Sequence, residues 1–231
     1  MPSEKNKECL ILIPAPDQKR EGGSGAPLGR VSAEIQVMAE RLKNYRGSWE
    51  RLLGLKGEAL EKAIAANRSV LSSPTLPAME RYAGTLVDGI GFATMTDAGK
   101  KFLLENVRFV SAVFGLVHPT GPIPDYRLRM ERLSAARHWK EMLAKELEGK
   151  YVIDLLPQTY RKAVDYAKGI AVEFVVVKDG KEVPAGPGGQ TIKGRFVRFL
   201  CQNKVSDAKH FVDFSEDGFQ WDWLVFLKRI R

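Results

Sequence analysis

Apolar and polar positions fall into two textures along the chain, and the change between them comes near residue 107. The first apolar block, "ECLILI" from Glu8 to Ile13, is continuous and of strand length, which predicts a buried strand. A charged, Pro- and Gly-rich connection follows from Pro14 to Arg30. Beyond it, Ile35, Met38, Leu42 and Tyr45 recur at helical spacing, with Ser32 placed to cap the helix and Gly47 and Ser48 to end it. Two more helical stretches are expected at about 49–53 and 57–71, the latter with Leu60, Ala63, Ile64 and Leu71 inward. Helical texture continues to about Asn106.

From Val107 onward β-branched and aromatic residues take over. "VRFVSAVFG" reads as a strand, and "LVHPTGPIPDYRL" as a Pro/Gly loop with a short extended piece. An amphipathic helix is expected from Ser134 to Gly149, carrying Trp139, Met142, Leu143 and Leu147 on one face. "YVIDLL" reads as a buried strand, and "GIAVEFVVVKDGKEV" as a hairpin turning at Asp179 and Gly180. The segment "GGQTIKGRFVRFLCQNK" fails as a strand, because Phe196 and Val197 fall on opposite sides. As a helix it gathers Ile192, Phe196 and Leu200 on one face and Arg195, Arg198 and Gln202 on another. A last pair of strands is expected around Glu216 to Gly218.

Strands alternating with helices predict the α/β (α+β) class, with a single mixed β-sheet flanked by helices. One domain over 1–231 is expected, with a helical subdomain at about 32–106. Within it, "LLGLKGEALEKAI" (Leu52 to Ile64) has the look of a helix-hairpin-helix, whose turn offers backbone N–H groups to a phosphate. Lys56 stands there where a second hairpin glycine is usual.

Charge narrows the function classes. Among 231 residues, 36 Lys and Arg face 28 Asp and Glu, a net charge of +8, which favours polyanionic partners: nucleic acid or phosphorylated small molecules. Between Gln190 and His210, Lys193, Arg195, Arg198, Lys204 and Lys209 stand against Asp207 alone. The loop after the first strand offers Lys19 and Arg20 to an anion, yet it lacks the G-K-[ST] of a P-loop and the G-x-G-x-x-G of a dinucleotide fold. Asp154 ends a buried strand, a place enzymes use and turns use too. His138 and Glu141 are spaced to share a metal but have no evident third ligand, so neither metal nor cofactor is expected. The two cysteines, Cys9 and Cys201, sit in apolar surroundings, as buried reduced thiols would. No apolar run approaches the ~18 residues of a membrane span, and a cytoplasmic protein is expected.

Taken in order, these stretches resemble the YaaA family of peroxide-stress proteins over essentially the whole chain. The most specific segment is "VRFVSAVFGLVHPTGPIPDYRLRM", where Arg108, Ser111, Gly115, Pro119, Tyr126, Arg127, Leu128 and Met130 match the family's run. Trp139, Tyr160 in "VIDLLPQTY", Lys193 and Gly194 in "IKGRFVRFLCQN", and Gly218 and Phe219 in "FSEDGFQWD" match further signatures. Lys19, Arg20, Glu21, Gly22 and Gly23 fit a variant of the first loop.

The resemblance implies a compact α/β fold with a basic cleft, DNA binding, and protection of cells from peroxide. DNA contacts are expected from Lys19, Arg20, Lys56, Arg127, Arg129, Lys193, Arg195 and Arg198. The alternative is an enzyme acting on a nucleotide-like or other anionic small molecule, with Tyr126, Asp154 and Tyr160 in its pocket. The chain also departs from the family's pattern. Its usual Ser-Pro-Ala-Lys after the first strand is absent. Gln190 replaces a lysine, Arg129 a glutamate, and Pro157 and Thr159 a serine and a glutamate.

Overall fold

The computed structural model describes residues 8–185, 188–222 and 225–230. Along the chain, β1 (Cys9–Pro14) is followed by a helical run: α1 (Ala33–Lys43), α2 (Trp49–Leu53) and α3 (Gly57–Arg68). The short β2 (Leu76–Pro77), α4 (Ala78–Arg81), α5 (Thr85–Ile90) and α6 (Asp97–Asn106) come next. Strands β3 (Val107–Ser111), β4 (Gly115–Val117) and β5 (Pro122–Ile123) precede α7 (Ala135–Leu147). Then come β6 (Tyr151–Asp154), α8 (Gln158–Arg161), β7 (Gly169–Ala171), β8 (Phe174–Lys178), β9 (Lys181–Pro184), α9 (Gly188–Gln202), β10 (Gln220–Trp221) and β11 (Phe226–Ile230).

The main sheet is mixed and five-stranded, in the order β4-β3-β1-β6-β7. The fully buried β1 lies at its centre, parallel to β3 on one side and to β6 on the other. A strand buried on both faces has no polar side to present, which explains the unbroken "CLILIP". The chain leaves β1 toward β3 and leaves β6 toward β7, in opposite directions. In open α/β sheets such a divergence opens a crevice at the carboxyl ends of the strands.

"VRFVSAVFG" is two strands rather than one. The Ser111 hydroxyl accepts from the N–H groups of Val113 (3.1 Å) and Phe114 (3.0 Å), folding the chain over. Gly115, at φ 66°, then starts the antiparallel return of β4.

The expected α/β class with a mixed sheet is observed, but the strands after residue 172 do not join the central sheet. They build a second sheet, β10-β11-β8-β9, in which Asp179 (φ 51°) and Gly180 (φ 73°) make the expected hairpin turn. Its separation follows from its own aromatic core. Phe174 stacks on Phe226 with centroids 4.8 Å apart, and Phe196 of α9 meets Phe226 at 4.8 Å and Phe214 at 5.1 Å. Helix α9 thus serves two layers, with Ile192, Phe196 and Leu200 all buried as the helical spacing predicts.

Helix α9 also packs closely on α5, through glycines. A Cβ on Gly194 would collide with the Leu86 carbonyl oxygen and lie 2.9 Å from the Gly89 Cα. Helices α2 and α3 are joined by Gly54, Leu55 and Lys56, with Gly54 left-handed at φ 66°. Among the described residues no helix is long and apolar enough to cross a membrane.

Candidate functional site

A cavity of about 390 Å³ opens where β1 and β6 end side by side. Residues Pro14 to Gln18 form one wall. Gly84, Thr85 and Leu86 at the start of α5 form another. Arg129 and Glu131 close a third side, and Pro157, Thr159, Tyr160 and Gln190 complete the lining. The size suits a small ligand, and the lining is largely apolar with a few polar side chains, among them Asp17, Arg129 and Glu131.

Behind the Pro14–Gln18 wall lies a buried lysine. Lys19 is only 7% exposed. Its Nζ donates to the Pro16 carbonyl (2.9 Å) and sits 4.0 Å from the Tyr126 ring centroid and 5.4 Å from that of Tyr82. Burial, then the neighbouring Arg127 charge, pull its pKa down to about 7, against the opposing pull of Asp125 and Asp17. The phenols beneath the amine are chained: Tyr82 and Tyr126 hydroxyls are 2.9 Å apart, and Tyr126 and Ser111 hydroxyls 2.8 Å. Burial pushes the Tyr126 phenol up to about 12 and Tyr160 above its ordinary range. The Tyr160 hydroxyl donates to the Ala15 carbonyl at 3.3 Å.

Arg127 and Arg129 approach the same wall from the β5–α7 connection. An Arg127 guanidinium N–H donates to the Asp17 carbonyl, and the Arg129 Nε pairs with the Asp17 carboxylate at 2.8 Å. The Asn67 amide of α3 donates to the Arg127 carbonyl and accepts from the Arg127 N–H, each at 2.8 Å. Lys62 of α3 pairs with Glu21 at 3.6 Å. These links set α3 along the loop that carries Arg20, which is exposed and has no ion pair among the described residues.

A second ionic cluster lies across β6. Asp154 is 1% exposed. Its carboxylate accepts from the Leu156 N–H (2.7 Å), Arg161 Nε (3.1 Å) and Tyr166 hydroxyl (3.1 Å). Burial raises its pKa against those bonds. Arg161 also pairs with Glu173, tying the first sheet to the second. Lys193 reaches the Leu155 carbonyl at 3.1 Å, and burial lowers its pKa, with the Arg161 charge adding to the effect.

The remaining expected contacts lie elsewhere and are engaged. Arg198 donates to the carbonyls of Gly91 (2.8 Å), Ile90 (3.2 Å) and Thr94 (3.0 Å), holding the end of α5. Arg195 pairs with Glu216 at 3.4 Å on the second-sheet side, and Lys56 with Glu50 at 3.3 Å. His138 is bonded to the Glu34 carbonyl at 2.9 Å. Among the described residues no group of three or more His, Cys, Asp or Glu could hold a metal ion. Burial pushes both thiols, Cys9 and Cys201, up to about 12.

Some residues that organise the site were not expected from sequence. Arg81 is fully buried and donates to the carbonyls of Arg20, Gly22 (2.7 Å) and Pro74 (3.2 Å), pinning the first loop. Asp125 carries a buried Oδ1 with no hydrogen-bond partner among the described residues. Neither sits in a spacing that advertises a role. The departures from the family pattern gain meaning here: Arg129, Pro157, Thr159 and Gln190 all line the one cavity, beside the divergent Pro14–Gln18.

The chain is similar to known proteins along most of its length. A model of the family described as peroxide stress protein YaaA matches residues 10–223. A UPF0246 protein of Corynebacterium glutamicum (strain R) is 30% identical over 213 residues, covering 83% of this chain and 84% of that protein. One from Lactobacillus delbrueckii subsp. bulgaricus is 26% identical, covering 95% and 99%. Another, from Desulfitobacterium hafniense, is 21% identical and covers 92% of each.

Proposed function

The chain belongs to the YaaA family of peroxide stress proteins, and on that premise we propose that it binds DNA, largely without regard to sequence, through the mouth of the β1/β6 cleft. The observation that carries the reading is the bracketing of Asp17 by Arg127 and Arg129, with Arg20 further along the same loop. Arg129 lines the cavity, Arg127 shares Asp17 with it, and Arg20 lies three residues further along the loop that carries Asp17. Guanidinium groups suit phosphate oxygens, and a rim contact reads no base. The net charge of +8 supports long-range attraction to a duplex. Helix α3, tied to the loop through Lys62 and to Arg127 through Asn67, widens the face. Of the residues first expected to touch DNA, Arg20, Arg127 and Arg129 carry this reading. Lys193 and Arg198 are held by backbone carbonyls, and Lys56 and Arg195 do not line the cavity. The test is a duplex titration at several salt concentrations, with binding that weakens steeply as salt rises.

One observation favours a second reading, a nucleotide-like anionic small molecule as the ligand. Pro157, Thr159 and Gln190, which depart from the family pattern, line the cavity together with Arg129. Under that reading the rim arginines hold the phosphate, and Thr159, Tyr160 and Gln190 meet the rest. Thermal shift with a nucleotide panel, showing stabilisation without any duplex binding, would select it.

A further inference from the structure

We propose that the cavity holds one unpaired nucleotide of the bound DNA, with its base turned inward and its phosphate at the rim arginines. This rests on the DNA reading of the same rim.

The walls come first. Pro14, Ala15 and Pro16 line one side of the cavity, and Leu86, Pro157 and Tyr160 line others. The flat faces of a base cover such apolar surfaces, whereas a free sugar, rich in hydroxyls, would leave them unmatched. The second observation is the kind of polar group set among those walls. Gln18, Thr85, Thr159 and Gln190 come from four separate segments, and all are open to solvent. Their side chains make no hydrogen bond within the described residues, and none carries charge. An amide presents a donor and an acceptor side by side, the combination found along the edge of a base. It can also turn over, which accepts more than one base and fits binding that reads little sequence. Gly84 keeps space for one of these amides, since a Cβ there would lie 3.1 Å from the Gln18 Oε1.

The third observation is where the charge sits. Arg129 lines the cavity too, and the Asp17 carboxylate holds its Nε at 2.8 Å, which leaves the other guanidinium donors for a phosphate. The volume of about 390 Å³ is near the low end for ligand pockets, about 300–1,000 Å³, so it takes one nucleotide and excludes a base pair. Turning out a paired base costs its pairing and stacking, whereas an unpaired base gives up little. The cavity therefore makes the protein favour a duplex that carries an unpaired base. A free mononucleotide offers the same groups and is the other source of this chemistry.

The experiment compares three probes on the full chain: a fully paired duplex, the same duplex with one bulged 2-aminopurine, and deoxyadenosine 5′-monophosphate. Affinity is read by titration, and enclosure of the 2-aminopurine by its quenching with acrylamide. The bulged duplex is expected to bind about tenfold more tightly than the paired one, with quenching reduced several-fold in the complex. Gln190→Ala and Thr159→Val should each lower the ratio of the two duplex affinities. Equal affinity for the two duplexes, with the base still freely quenched, overturns the proposal and leaves the DNA reading standing. A preference for the bulge without protection from acrylamide also overturns it, because the duplex is then read by its bend. Binding of the mononucleotide with neither duplex bound removes the DNA reading and the strand as source. The wild-type measurements decide each of these outcomes, whether or not the variants fold.

Discussion

The Lys19 amine lies 4.0 Å from the centroid of the Tyr126 ring, and the Tyr126 hydroxyl is in turn bonded to Tyr82 and Ser111. The pairing joins two segments that matched the family pattern separately: the first loop and the run that ends in Tyr126. It also explains why a loop rich in charge and glycine is ordered. Its lysine is drawn into the core, where the amine is held by a carbonyl and two rings.

That burial gives a pH signature. Folded Lys19 titrates at about 7, whereas the ordinary lysine value is 10.5. Between those values the unfolded chain holds more protons than the folded one, so this group makes stability rise with pH. Lys19→Met removes the contribution. Urea unfolding at pH 6 and pH 10 should show wild type gaining on the variant by up to about 4 kcal/mol across the range. A constant difference between the two proteins would mean that the amine is not desolvated.

Arg198 and Arg195 stand three residues apart on α9 and should behave differently. Arg198 meets three carbonyls at the end of α5 and the Thr94 hydroxyl at 3.1 Å. Arg198→Ala should cost about 1.5–3 kcal/mol. Arg195, half exposed in a single pair with Glu216, should cost under about 1 kcal/mol on substitution. Denaturant midpoints of the two variants check this, and equal losses would contradict it.

The closeness of α5 and α9 predicts intolerance at Gly194. Its Cα passes the Gly89 backbone with no room for a methyl group. Gly194→Ala should destabilise by about 1–3 kcal/mol. It should also weaken ligand binding, because Thr85 on α5 and Gln190 on α9 both line the cavity. A variant as stable as wild type would show that the helices separate freely.

Much of this fold was legible in the pattern of residues. The continuous run of β1, the Ser32 cap, the Asp179–Gly180 hairpin and the helical reading of 188–204 all rest on local rules, and local rules hold where propensity and burial agree. The split into two sheets was not legible. It depends on aromatics far apart in sequence, Phe174, Phe196, Phe214 and Phe226, finding one another. The candidate site was legible in part. Arg129, Tyr160 and the start of the first loop line one cavity, with Arg127 bonded to Asp17 beside them, whereas Asp154 and Lys193 are held in another cluster across β6. Arg198 looked like a free surface cation because the carbonyls it holds lie more than a hundred residues away. Arg81 and Asp125 gave no signal, because their roles come only from what surrounds them once the chain is folded.

The central claim is that Arg20 and Arg129 meet phosphates at the mouth of the β1/β6 cleft. Its most direct test is the salt dependence of duplex binding by wild type, Arg20→Ala and Arg129→Ala, plotted as log affinity against log salt. Each variant is expected to bind more weakly and to lower the slope by about one, whatever the DNA sequence. Slopes unchanged from wild type in both variants would contradict the account.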